Sequence, residues 1–129
     1  MAVVATGSLA ERLASRCNGD GEFRLAARFW DGSLSIDIGA GPLDLVVEGG
    51  VIEPGTAARN GGYIGLRGPA ETWAKVLSPV PPPFHNDIMP AMAFGIVIEG
   101  EEETWWQYYP AVRRVVDLLR EEVQRDGTL

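Results

Sequence analysis

One cysteine, one histidine and a shortage of basic residues set the first limits on what this 129-residue chain can be. Cys17 alone permits no intramolecular disulfide, and a lone thiol suits a reducing compartment. No charge pattern near it would lower its pKa, so it reads as a small hydrophobe on a first helix rather than a nucleophile. His85 has no second histidine with which to complete a familiar metal site. Eleven Lys and Arg stand against eighteen Asp and Glu, a net charge of -7. Nucleic-acid backbones demand a basic face and anionic lipid surfaces demand basic patches, so neither is an expected partner. No apolar run is long enough to cross a bilayer, and neither end carries a signal-peptide pattern. The expectation is one cytoplasmic domain, residues 1–129, large enough to bury a core without a structural metal.

What is present is patterned. Ser8 fits the N-cap of a helix over 8–17, with Glu11 completing a capping box, and Asn18-Gly19-Asp20-Gly21 stops it. From Glu22 the apolar period is two: Phe23, Leu25, Ala27 and Phe29 alternate with polar neighbours. Asp31-Gly32 turns the chain, Leu34, Ile36 and Ile38 alternate next, and Leu43, Leu45 and Val47 follow. Residues 22–48 are therefore predicted to form a three-strand antiparallel meander. Gly49 to Gly62 is rich in turn formers and reads as a mobile loop with a short strand extension at Val51-Ile52.

A fourth strand is predicted over 63–66, and Gly68-Pro69 opens a helix over 69–77 with Trp73, Val76 and Leu77 buried. Ser78 to Pro83, with three consecutive prolines, is a polyproline-like link. A last strand covers 94–99. The final helix, 104–124, is predicted to break at Pro110, and its apolar stripe runs through Trp105, Tyr108, Tyr109, Val112, Val116, Leu119 and Val123. These elements give an α+β domain: a five-stranded, mostly antiparallel sheet with helices covering one face.

The chain resembles the sterol carrier protein type 2 family of lipid-binding domains. The resemblance rests on the meander with its Asp31-Gly32 hairpin, on Leu66-Arg67-Gly68-Pro69-Ala70-Glu71-Thr72-Trp73, and on Gly95-Ile96-Val97-Ile98-Glu99-Gly100-Glu101. It spans Glu22 to Arg120. It implies an apolar cavity between sheet and helices for a lipid, sterol, acyl chain or apolar metabolite, and no enzyme activity by itself. The Gly49 to Gly62 loop and the SPVPPPFHND segment exceed a minimal carrier, which would reshape the pocket mouth and leaves a dedicated ligand as open as a general lipid.

From the residues themselves, ligand binding falls to Trp73, Phe84, Ile88, Met89, Met92 and Phe94, together with Trp105, Tyr108 and Tyr109. Thioethers and large rings suit variable apolar ligands, although packing accounts for the same residues. His85 with Asp87 is the candidate general base of a small isomerase, cyclase or dehydratase; the competing account is a loop-capping histidine beside turn residues. Glu99, Glu101, Glu102 and Glu103 read as solvated charge at a helix start rather than a metal site. The glycines lack the strand-to-helix frame of a phosphate loop, and no serine sits in a nucleophile elbow. No cofactor is expected. Exposed Trp106 would alternatively mark an interface with a second copy or a partner enzyme.

Overall fold

The computed structural model describes residues 7–39, 41–56, 58–59 and 61–125. Among the described residues the elements follow in order: α1 Gly7–Asn18, α2 Gly21–Ala27, β1 Gly32–Asp37, β2 Pro42–Glu48, β3 Val51–Pro54, β4 Tyr63–Arg67, α3 Ala70–Val76, α4 Ile88–Ala91, a 3-10 turn Met92–Phe94, β5 Val97–Gly100 and α5 Glu102–Arg125. The cap expected at Ser8 lies outside the described side chains.

The five strands form one sheet in the order β3-β2-β1-β4-β5. β1 pairs antiparallel with β2, β2 with β3, and β4 with β5, while β1 and β4 run parallel at the centre. Alternation along the strands sends Leu34, Ile36, Leu43, Leu45, Val47, Ile52, Ile64 and Leu66 into the core. Helices cover that face: α1 packs on β2 and β3, and α5 on β4. The fold class is thus α+β with a mostly antiparallel sheet.

The opposite face receives the β3–β4 connection. Ser33 Oγ donates to the Ala58 carbonyl at 2.7 Å, and the Arg59 guanidinium sits 5.4 Å from the centre of the Tyr63 ring. The strand extension expected at Val51-Ile52 is β3, which runs on to Pro54, and part of the segment expected to be a mobile loop is fastened to the sheet through Ala58 and Arg59. Asn18 holds the outer edge of β3, accepting from the Ile52 amide at 2.9 Å and donating to its carbonyl at 2.8 Å. That exchange satisfies edge groups that would otherwise await another strand.

Two expectations are corrected. Residues 22–29, predicted as the first strand of the meander, form α2 and the turn after it; the meander is β1-β2-β3, and Asp31-Gly32 joins a helix to β1 rather than two strands. Phe23 and Ala27 are spaced by four as well as by two, so a helix buries both, while Leu25 and Phe29 face solvent at 65% and 71% exposure. Asp20 decides between the two periods by capping the helix: its carboxylate accepts from the Phe23 amide at 2.8 Å and takes both Arg114 Nε and Nη2, at 3.0 and 2.8 Å.

The predicted break at Pro110 does not occur either. α5 is continuous for 24 residues with Pro110 inside it. An interior proline removes one helical hydrogen bond and costs about 3 kcal/mol. Burial of Trp105, Tyr108, Ala111, Val112, Val115, Val116 and Leu119 around it outweighs that, because each fully buried aliphatic side chain contributes about 1.5–3 kcal/mol.

Candidate apolar site

The C-terminal end of β5, the short helix α4 with its 3-10 turn, and the first turns of α5 meet at one corner of the molecule. Ile98 and Gly100 come from β5, Met89 and Met92 from the α4 segment, and Glu102, Trp105 and Trp106 from α5; together they line a groove of about 250 Å³. Strand alternation puts Ile98 on the groove side and Glu99 on the other, where it meets Arg67 at 3.4 Å and Arg59 at 3.8 Å. Gly100 has φ 114°, and a Cβ there would collide with the Tyr63 carbonyl, so only glycine lets β5 end this close to β4. Trp105 is buried, whereas Met92 and Trp106 are 43% and 54% exposed, so the groove is open along one side.

Asp87 positions the α4 wall. It is the N-cap of α4, its Oδ1 accepting from the Ile88 amide at 2.7 Å. Its Oδ2 accepts the Tyr109 hydroxyl at 2.7 Å and lies 3.5 Å from Arg113 Nε. Burial, and then the bond to Asp87, raise the Tyr109 phenol well above its ordinary value near 10. Tyr109 in turn packs on both groove tryptophans, 5.0 Å from Trp105 and edge-on at 6.5 Å from Trp106.

The residues singled out in the sequence thus separate into groups. Met89, Met92 and Trp105 line the groove, and Tyr109 backs it. Ile88 and Trp73 are buried core, and the Trp73 indole N–H has no hydrogen-bond partner. Tyr108 is also core, stacked on Trp30 with centroids 5.1 Å apart and its hydroxyl donating to the Phe29 carbonyl at 2.8 Å. Phe84 and Phe94 are exposed neighbours 6.5 Å apart, away from the groove lining. Sequence reasoning missed Ile98 and Glu102 as lining residues. For Ile98 the signal was its alternation with Glu99; for Glu102 no local pattern distinguishes it from its acidic neighbours.

His85 and Asp87 do not form a dyad. His85 is buried, its Nδ1 3.0 Å from the Pro83 carbonyl and its ring 4.5 Å from that of Phe94, while both Asp87 oxygens are engaged elsewhere. No group of three or more His, Cys, Asp or Glu among the described residues is arranged to hold a metal ion. No helix among them is long and apolar enough to cross a membrane.

The architecture is that of sterol carrier proteins. The chain is similar in fold to the crystal structure of sterol carrier protein 2, with a TM-score of 0.69 and 18% identity over 90% of this chain and 96% of that one. It is also similar to the solution structure of a conserved hypothetical protein from Thermus thermophilus, proposed to be a sterol carrier protein. There the TM-score is 0.65 and the identity 20%, over 93% of this chain and 92% of the other. No family model and no curated protein matches the sequence.

Proposed function

We propose that this protein, acting as one domain, binds an apolar small molecule in the groove between β5, α4 and α5 and carries or presents it. The observation that carries this reading is the convergence of Met89, Met92, Ile98, Trp105 and Trp106 on one open groove of a sterol carrier fold. Two thioethers and two indoles offer an adaptable apolar wall, and apolar area removed from water contributes about 25 cal/mol per Å². A volume near 250 Å³ lies below the ~300–1,000 Å³ of pockets that enclose a drug-sized molecule. The groove thus takes an acyl chain, one ring system or one end of a sterol-like molecule, with the remainder outside. Catalysis at His85 is disfavoured because Asp87 is committed to Ile88, Tyr109 and Arg113 and does not orient the imidazole.

Titration with fatty alcohols, sterols and a solvatochromic dye, followed by tryptophan emission and thermal melting, tests the proposal. Binding to the native state must raise its melting temperature. Met89→Ala and Trp105→Ala are expected to weaken binding more than His85→Ala does. Unchanged emission and melting across the whole series would reject the carrier reading.

A further inference from the structure

The groove is apolar but not electrically neutral. Of its lining residues Glu102 is the one that carries a charge, and no Lys, Arg or His shares the lining. Glu102 Oε1 accepts from Trp106 Nε1 at 3.3 Å, one helical turn along α5, which leaves Oε2 for a ligand. The neighbouring cations are engaged elsewhere: Arg59 and Arg67 pair with Glu99 on the far side of β5, and Arg113 faces Asp87. The positive end of the α5 dipole, worth roughly half a charge, already faces Glu102 and Glu103 in the first turn. A ligand carboxylate would therefore meet Glu102 without a compensating cation, whereas an ammonium would meet a carboxylate beside an exposed indole face suited to cation–π contact.

Resting on the apolar-binding reading above, we infer that the groove discriminates by head-group charge, taking amphiphiles that end in an ammonium, accepting neutral alcohols less well, and rejecting fatty carboxylates. The apolar tail lies against Met89, Met92, Ile98 and Trp105, and the cationic head lies at Glu102 and Trp106. Because Glu102 is exposed, the discrimination is modest, about tenfold between ammonium and carboxylate at low salt, and it shrinks as the Debye length falls below ~10 Å above 0.1 M salt.

The test is calorimetric titration of the full chain with decylammonium, decanol and decanoate, which share one tail, below their aggregation thresholds and at two salt concentrations. The expected order is ammonium, then alcohol, then carboxylate. Glu102→Gln is expected to collapse the ammonium-to-carboxylate ratio by about tenfold. Glu103→Gln, a change of the same charge beside the groove lining, is expected to leave the ratio as it was. Decanoate binding as tightly as decylammonium would overturn the charge selectivity while leaving the apolar carrier intact. An equal response to Glu102→Gln and Glu103→Gln would also overturn it, since net charge and not a groove carboxylate would then be responsible. Failure of all three ligands to bind would reject the carrier reading and this inference together.

Discussion

The Tyr109 hydroxyl donates to Asp87 Oδ2 at 2.7 Å, joining the long C-terminal helix to the cap of the short helix that carries Met89. This half-buried bond to a carboxylate spans 22 residues of sequence and fixes the distance between two walls of the groove. Tyr109→Phe is expected to lower stability by about 1–2 kcal/mol, in the range for a hydrogen bond to a charged group. It should also loosen the α4 wall, so decanol affinity falls a few-fold. Urea unfolding and calorimetry read the two effects, and a variant unchanged in both would show that the bond fixes nothing. Because burial and Asp87 raise the phenol's pKa, its contribution is complete below pH ~10 and is lost as the pH rises further towards the native value.

Acid stability should depend on Asp20. Its bond from Arg114, aided by the Phe23 amide, holds its carboxyl at about 2, below the usual value of 3.8. A depressed carboxylate stabilises the native state above its unfolded value and ceases to do so as pH falls through its folded one. Its contribution, about 2 kcal/mol, is expected to disappear between about pH 4 and pH 2. Asp20→Asn should be less stable at pH 7 and should flatten that part of the stability profile measured by denaturant unfolding. A profile with the wild-type slope would place the acid sensitivity elsewhere.

Cys17 is fully buried, and desolvation pushes its thiol up to about 12. Reaction requires exposed thiolate. In native protein at pH 8 it is expected to resist a disulfide reagent for hours and to react within minutes in denaturant. Rapid native-state labelling would mean that α1 opens readily.

Pro110 lies in the middle of an unbroken helix, and the amide hydrogen it lacks is one that alanine would supply. Pro110→Ala is expected to raise stability by about 1–3 kcal/mol, seen as a higher denaturant midpoint with an unchanged slope. A loss of stability would show that the ring packs against neighbouring groups more favourably than the restored bond.

The alternation of Leu34, Ile36, Leu43, Leu45 and Val47 identified β1 and β2, because a strand with one apolar face writes its period into the chain. The stripe through Val112, Val116, Leu119 and Val123 identified the buried side of α5 for the corresponding reason. Both signals are local. At the groove, Met89, Met92 and Trp105 were legible as apolar residues able to meet a ligand. Their separation from Trp73, Ile88 and Tyr108, which are packed in the core, was not.

The amino-acid sequence by itself determined an α+β domain whose strands carry one apolar face, a net acidic charge and an amphipathic last helix. Tertiary structure decided whether residues 22–29 became strand or helix, since Phe23 and Ala27 satisfy both periods and the choice rests on Asp20 meeting Arg114, 94 positions away. It kept α5 whole through Pro110, because burial on both sides of the proline exceeds the cost of one missing hydrogen bond. It also brought Glu102 into the groove beside Ile98 and Met92: which carboxylate of an acidic run faces an apolar wall depends on how helix and sheet pack, and no spacing within the run encodes that.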